Sequence, residues 1–182
     1  MTPKLVVTGF MGTGKSRVGR AAAERLGWRF ADSDREIVAR VGKPIAEIFA
    51  ADGEPCFRTH ERAVIAALAA DPRPAVIATG GGTLAGEENF SALKSVGIIV
   101  CLTARPEVIA ARLKRSNETR PKLLEGDKPL LERIIELLGE RAAVYARADA
   151  TLDTSDLTID EAAERLVAIF KALREERCGP SA

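Results

Sequence analysis

The sequence predicts an α/β protein in which helices cover both faces of a parallel β-sheet. Short apolar runs rich in β-branched residues alternate along the chain with longer runs of helical composition. This alternation is typical of parallel sheets, because a crossover must carry the chain back before the next parallel strand begins. A glycine-rich stretch, residues 9–16, lies between the first apolar run and the first helical run, where a turn is expected.

The individual elements follow from composition and end signals. Five short apolar runs are predicted strands: residues 5–8, 29–32, 75–79, 98–102 and 151–153. Six proline-free or proline-led runs are predicted helices: residues 15–26, 34–41, 59–70, 106–114, 130–146 and 159–176. Pro106 suits a first helical turn, Thr158 and Glu161 fit a capping box, and Gly179 follows the last helix.

Length and charge narrow the class of protein. The chain has 182 residues, 46% of them hydrophobic, and a net charge of +1, which suits one domain and disfavours a nucleic-acid partner held by a basic surface. No apolar run approaches the ~20 residues of a membrane span.

Cys56, Cys101 and Cys178 are widely spaced and indicate free thiols in a reducing cytosol. His60 is the only histidine, so an H-E-x-x-H zinc site is excluded.

The glycine-rich stretch carries the strongest chemical signal. Gly9-Phe-Met-Gly-Thr-Gly-Lys-Ser16 matches G-x-x-x-x-G-K-[ST], the phosphate-binding P-loop. Backbone amides in such a loop surround a phosphate, and the positive end of the following helix points at it. Lys15 supplies a charge for the β- and γ-phosphates, and Ser16 offers its hydroxyl to Mg²⁺.

Two carboxylates follow the second predicted strand. Asp32 and Asp34 lie at its carboxyl end, which is where ligands bind in open α/β sheets. One carboxylate could act on magnesium through water and the other on a substrate hydroxyl. The alternative is that Asp34 only caps the next helix.

A triple glycine and several arginines could form a second subsite. Residues 80–82, all glycine, follow a predicted strand and allow close approach of a ligand, although a tight turn is the alternative. Arg58, Arg120 and Arg141 lie in different segments. Guanidinium groups can hold a carboxylate bidentately or neutralise a transferring phosphoryl group, but most arginines are simply solvated. Their spacing does not show whether they converge.

Two segments interrupted by glycine and proline, residues 42–58 and 116–129, are predicted to be irregular. In a kinase such loops could form a substrate cradle and a closing lid. Ordinary surface connections are the alternative.

Taken in order, these residues resemble the shikimate kinase family over nearly the whole chain. The P-loop alone fits many activities, whereas the ordered set of motifs is more specific. The set comprises Gly9 to Ser16, Asp32-Ser-Asp34, Gly53-Glu-Pro-Cys-Phe-Arg58 with Glu61, Thr79-Gly-Gly-Gly82, Thr119-Arg-Pro121, Arg141 with Tyr145, and Asp153-Thr154. The chain departs from the usual R-P-L-L of the lid by one residue, Lys122.

The resemblance implies a three-layer α/β/α P-loop kinase fold like that of nucleoside monophosphate kinases, with a five-stranded parallel sheet. It implies a single domain over residues 1–182, a substrate-binding region at about 33–61 and a lid at about 112–128. The activity implied is ATP-dependent phosphorylation of the 3-hydroxyl of shikimate, in the pathway to aromatic amino acids. The partners implied are ATP and shikimate, and a monomer is the default.

Site roles also follow from the resemblance. The phosphates of ATP would contact the P-loop and the lid arginine, with Mg²⁺ on Ser16 and, through water, on Asp32. Asp34 would bind the shikimate hydroxyls and serve as the base. Either Arg112 or Arg115 would approach adenine, near residues 154–157. The remaining roles are ATP phosphate binding by Gly12, Thr13, Gly14, Lys15, Ser16, Arg17 and Arg120, and catalysis by Lys15, Asp34 and Arg120. Arg58 and Arg141 would bind the carboxylate of shikimate, in a pocket lined by Gly80, Gly81 and Gly82.

Two alternative functions use the same residues. A kinase of another polyhydroxy acid, such as gluconate, would also need a carboxylate clamp and a carboxylate that binds hydroxyls. The second alternative is a nucleotide-binding module that has lost turnover, and the complete set of Lys15, Ser16, Asp32 and Arg120 disfavours it.

Overall fold

A five-stranded, wholly parallel sheet forms the centre of the protein and confirms the predicted fold class. The computed structural model describes residues 3–115 and 128–178. In spatial order the strands run β2-β3-β1-β4-β5, so that β1 is central. Their bounds are β1 Lys4–Gly9, β2 Arg29–Asp32, β3 Ala75–Ala78, β4 Gly97–Thr103 and β5 Ala150–Asp153.

Within the described ranges, seven α-helices cover both faces of the sheet, and a short 3₁₀ helix spans Thr83–Ala85. One face packs against the first and last helices through a cluster that includes Leu5, Val7 and Phe170. The other face packs against the remaining helices through Val6, Ile77 and their neighbours. The helices are α1 Lys15–Leu26, α2 Ser33–Val41, α3 Ile45–Ala70, α4 Glu87–Val96, α5 Pro106–Lys114, α6 Leu130–Tyr145 and α7 Ile159–Cys178.

The last helix begins as its sequence predicts. The Thr158 hydroxyl accepts a hydrogen bond from the amide of Glu161 at 3.3 Å, and the Glu161 carboxylate accepts one from the amide of Thr158 at 2.8 Å. These reciprocal bonds confirm the capping box, since they satisfy amides that have no partner inside the helix.

The prediction that residues 42–58 are irregular is wrong for most of that segment. Helix α3 begins at Ile45, well before residue 59, and bends at Gly53, whose φ of 79° and ψ of 170° are not helical. Pro44 precedes the first turn, and Pro55 falls just beyond the bend, so neither proline removes an amide that a continuous helix would need. Burial of Ile48 and Phe57 holds both parts of the helix against the core.

Helix α4 was not predicted from the sequence. Its first residues, Glu87, Glu88 and Asn89, are polar, so the sequence shows no clear apolar helix pattern there. Acidic residues nevertheless suit a first helical turn. Leu93 is fully buried and anchors the helix beside the sheet.

The described helices differ in length or polarity from what a membrane span needs. Within residues 3–115 and 128–178, every helix is too short or too polar to cross a bilayer.

Candidate active site

The P-loop joins the central strand β1 to helix α1. Gly12 and Gly14 adopt φ values of 81° and 95°, which favour glycine. The carbonyl of Phe10 accepts hydrogen bonds from Lys15 Nζ at 2.9 Å and from the Thr13 hydroxyl at 2.7 Å. Gly14 precedes α1 and has no side chain to cap it, so the first amides of the helix point toward the concave loop, as an anion site requires.

Ser16 and Asp32 form a pair beside this loop. The Ser16 hydroxyl donates to Asp32 Oδ2 at 2.6 Å, while Asp32 Oδ1 accepts from the amides of Asp34 and Arg35 at 3.1 and 3.4 Å. Asp32, rather than Asp34, therefore caps helix α2. These capping bonds fix the Asp32 carboxylate next to the Ser16 hydroxyl, so the two groups lie side by side.

The donor atoms of this pair suit a hard cation that keeps most of its water. Mg²⁺ typically takes only one or two protein ligands in phosphate-binding enzymes. The described part of the chain contains no cluster of three or more potential metal-ligating side chains. Ser16 and Asp32 fit a magnesium ion held mainly by phosphate and water, and they do not form a complete protein cage.

The triple glycine following β3 contacts three of the predicted substrate-binding side chains. A β-carbon built on Gly80 would lie 2.7 Å from Asp34 Oδ1. One on Gly81 would lie 3.1 Å from Arg141 Nη1, and one on Gly82 would lie 3.5 Å from Arg58 Nη2. Asp34, Arg58 and Arg141 therefore converge on one turn, although they come from α2, α3 and α6.

Arg58 is held by two carboxylates of its own helix. Its guanidinium lies 2.8 Å from Glu54 Oε1 and 2.8 Å from Glu61 Oε2. Burial lowers the pKa of Arg58, but the hydrogen bonds and charges of Glu61 and Glu54 raise it by more. Arg58 is thus fixed and fully charged, as a carboxylate-binding group must be.

The buried carboxylate of Glu61 supports this arrangement. Only 3% of the Glu61 side chain is exposed. It accepts hydrogen bonds from the Thr83 hydroxyl at 2.8 Å and from Asn89 Nδ2 at 3.4 Å. The sequence predicted no role for Thr83 or Asn89. A glutamate three residues after Arg58 was the available signal, since that spacing places two side chains together on a helix.

Arg141 connects the substrate side to the P-loop. Its guanidinium carbon lies 5.3 Å from the centre of the Phe10 ring, within the range of a cation–π contact. Phe10 is a P-loop residue, and only 1% of it is exposed.

Of the two candidates for the adenine side, Arg112 contacts the P-loop. Arg112 donates to the carbonyl of Gly12 at 3.4 Å and to the carbonyl of Thr154 at 2.6 Å. The Thr154 hydroxyl in turn donates to the carbonyl of Thr13 at 3.0 Å. Arg115 is exposed at the end of α5.

Of the remaining predicted site residues, some lie within the described part of the chain and others do not. Arg17 is exposed and lines an open cleft with Arg20 and Arg35 beside Ser16. Arg120 and Lys122 lie outside the described residues.

Comparison with known proteins gives a consistent result. The family model described as shikimate kinase matches residues 11–171. The shikimate kinase of Pelotomaculum thermopropionicum is 44% identical over 167 residues, which cover 92% of this chain and 95% of that protein. The structure of shikimate kinase from Acinetobacter baumannii in complex with shikimate has a TM-score of 0.86 at 33% identity and covers 96% of both chains.

A more distant structural likeness concerns the fold alone. A gluconokinase from Sinorhizobium meliloti has a TM-score of 0.66 at 22% identity and covers 99% of this chain and 98% of that chain. The family match, by contrast, spans most of the sequence and includes the P-loop lysine and the glycine turn. The chain therefore belongs to the shikimate kinase family.

Proposed function

We propose that this chain transfers the γ-phosphoryl group of ATP to the 3-hydroxyl group of shikimate, which gives shikimate 3-phosphate and ADP. The observation that carries this proposal is the convergence of Asp34, Arg58 and Arg141 on the glycine turn next to the P-loop. A polyhydroxy acid needs cations for its carboxylate and an acceptor for its hydroxyls, and this cluster offers both.

The donor half of the site is the P-loop. Its backbone amides and the amino end of α1 bind the phosphates of ATP, and Lys15 neutralises charge on the β- and γ-phosphates. Ser16 would ligate Mg²⁺ and Asp32 would hold it through water, and the bound ion would neutralise phosphate charge. Arg112 and residues 154–157 border the adenine side.

The acceptor half is built on the glycine turn. Arg58 and Arg141 hold the carboxylate of shikimate, and residues 80–82 line the pocket between them. Asp34 accepts hydrogen bonds from the hydroxyls and takes the proton of the attacking hydroxyl, whose oxygen bonds to the γ-phosphorus as the bond to ADP breaks. Positioning and charge neutralisation supply most of the rate, and no covalent enzyme intermediate is needed.

The wider organisation belongs to the same proposal. Residues 1–182 form one kinase domain, with a substrate-binding region at about 33–61 and a lid at about 112–128. Arg120 reaches the transferring phosphoryl group from that lid, and Arg17 borders the phosphates. The chain works as a monomer in the cytosol, where its cysteines remain thiols. Its near-neutral charge fits small-molecule substrates better than a nucleic acid.

A coupled assay of ADP release tests the proposed substrate. The purified protein should release ADP from ATP and Mg²⁺ when shikimate is added, and an equal concentration of gluconate should give little release. Lys15→Ala should abolish turnover while the protein stays folded, because the charge at the phosphates is lost. Faster turnover with gluconate, or no response to shikimate, would contradict the proposal.

The carboxylate clamp has its own test. Arg58→Lys and Arg141→Lys should each raise the KM for shikimate roughly tenfold or more, because lysine cannot form the bidentate contact. Arg62→Lys is the matched control, since Arg62 lies on the same helix and contacts the exposed carboxylate of Glu88 and the hydroxyl of Thr59. An unchanged KM for shikimate in both clamp variants would show that another group binds the carboxylate.

A further inference from the structure

Tyr145 places a buried hydroxyl against the glycine turn. It is the only tyrosine of the chain and lies at the end of α6, where 8% of the residue is exposed. Its hydroxyl donates to the carbonyl of Gly81 at 3.0 Å. A buried phenol needs a hydrogen-bond partner, and here the partner is the middle residue of the proposed acceptor pocket.

The same hydroxyl also meets the clamp. Arg141 lies one turn earlier on α6, which places its guanidinium on the same side of the helix as the phenol. A phenol can donate one hydrogen bond and accept another, so Tyr145 can join the Arg141 guanidinium to the Gly81 carbonyl. A β-carbon on Gly81 would lie 3.1 Å from Arg141 Nη1 and 3.5 Å from Tyr145 Oη.

The surroundings keep the ring in one position. Tyr145 belongs to a cluster with Phe10, Cys101, Ile134 and Leu137 at the carboxyl end of the sheet. Phe10 packs under Arg141 from the P-loop side. The guanidinium is therefore bounded by an aromatic face, a phenol oxygen and a glycine, and two of the three are immobilised by burial.

Burial and charge act on the phenol in opposite directions. Burial, the larger influence, raises the pKa of Tyr145, while the neighbouring Arg141 guanidinium lowers it. The Cys101 thiol is the other ionisable group that influences the phenol, and burial raises the pKa of that thiol to about 11. The phenol is thus protonated at neutral pH, and its electronic environment depends on Arg141.

We infer that Tyr145 is a positioning residue for the acceptor site, whose hydroxyl locks the Arg141 guanidinium and the glycine turn of residues 80–82 into one binding-ready arrangement. The inference rests on the proposed role of Arg141 in carboxylate binding. A preorganised guanidinium loses less freedom when a carboxylate binds. Carboxylate binding is equal in the ground and transition states, so the loss should fall on KM and leave kcat nearly intact.

Tyr145→Phe tests the hydroxyl alone, because the ring and its packing are retained. The variant should raise the KM for shikimate roughly fivefold to tenfold, which is the net value of one ordinary hydrogen bond. The KM for ATP and kcat should stay within about twofold. Ser95→Ala is the matched control, since Ser95 is exposed on α4 and its hydroxyl donates to the Ala92 carbonyl at 2.9 Å.

A spectroscopic measurement on the wild-type protein needs no variant. Tyr145 is the only phenol, and the only tryptophan, Trp28, packs on the opposite face of the sheet against Phe170. Saturating shikimate should therefore give a near-ultraviolet difference spectrum with tyrosine bands, because its carboxylate changes the charge next to the phenol. Tyr145→Phe should lose these bands.

The outcomes separate this inference from the proposed function. If Arg141→Lys raises the KM for shikimate and Tyr145→Phe does not, the positioning role is wrong and the clamp stands. If neither variant changes that KM, Arg141 does not bind the carboxylate, and the positioning role is wrong with it. Equal losses in kcat and in both KM values would indicate general damage and overturn the positioning role. If Tyr145→Phe does not fold, the absence of tyrosine bands in the wild-type difference spectrum would overturn it.

Discussion

Three consecutive glycines serve three different side chains. Residues 80–82 lie beside Asp34, Arg141 and Arg58 respectively, so each missing β-carbon leaves room for one polar group. The three positions are not equally crowded. At Gly80 a β-carbon would lie 2.7 Å from Asp34 Oδ1, whereas at Gly82 the nearest atom would be 3.5 Å away.

This difference predicts unequal effects of alanine. Gly80→Ala should lower kcat/KM for shikimate roughly 10-fold to 100-fold, because the carboxylate that binds the reacting hydroxyl must move. Gly82→Ala should stay within about threefold, since its β-carbon makes ordinary contacts. Steady-state kinetics of the two variants make the comparison. Equal effects would show that Asp34 does not need its present position.

The sequence points to these residues one at a time. Residue type and the family resemblance indicate Asp34, Arg58 and Arg141 as separate candidates. The support from Glu61 through Thr83 and Asn89 was not predicted, because no pattern in sequence specifies which distant polar groups will satisfy a buried carboxylate.

At the scale of secondary structure, the carboxyl ends of β1 and β3 each place a buried threonine close to the site. Thr8 on β1 and Thr79, directly after β3, are buried, and their hydroxyls have no hydrogen-bond partner among the described residues. Thr8 lies in register with Cys101 of β4. An unsatisfied buried hydroxyl costs stability that an apolar group of the same shape would not.

Thr8→Val should therefore raise the free energy of unfolding by about 1 kcal/mol. Valine keeps the branched shape and the preference for strands, so activity should be unchanged. Urea unfolding measures the effect, with Thr151→Val as a control that should change little, because Thr151 is an exposed residue of β5. A loss of stability in Thr8→Val would indicate that the hydroxyl has a partner in solution.

Helices and strands were predictable from the sequence where the apolar periodicity and the residues that mark the ends of an element agree. The strands of the sheet and helices such as α1 combine periodicity with clear ends. The first part of α3 and all of α4 were not predicted, because Gly53, Pro55 and a polar first turn obscured the pattern. Packing against the core outweighs these local preferences, which amount to about 1 kcal/mol for glycine.

At the scale of the whole molecule, Asp149 joins three separate elements. Its carboxylate accepts hydrogen bonds from Lys94 of α4, from the amide of Ile99 in β4 at 2.8 Å and from Arg177 of α7 at 2.6 Å. Burial raises the pKa of Asp149, but these three donors lower it by more. The ionised carboxylate is therefore the form that stabilises the folded chain.

The consequence is a stability contribution that depends on pH. Because the pKa is lowered on folding, the contribution is complete above about pH 4, the ordinary aspartate value, and is lost as the pH falls through the folded-state pKa. Asp149→Asn should cost about 1–3 kcal/mol at pH 7, and the gap to wild type should shrink below pH 4. Urea unfolding of the wild type and of Asp149→Asn, at pH 7 and below pH 4, measures this difference in stability.

Asp156→Asn serves as the control for this variant. Asp156 forms an exposed ion pair with Arg105, and exposed pairs contribute little to stability. A gap between Asp149→Asn and wild type that stays constant with pH would contradict a stabilising role for the ionised carboxylate.

By itself, the sequence determined what is encoded locally. The P-loop is one contiguous motif, and strand and helix periods depend on neighbouring residues, so the fold class and the donor site could be read from residue order. The tertiary structure alone decided the convergence of Asp34, Arg58 and Arg141, the contact of Arg112 with the P-loop, and the contact of Tyr145 with Gly81. These contacts join separate elements at the carboxyl edge of the sheet, and spacing along a chain does not specify which side chains meet across such an edge.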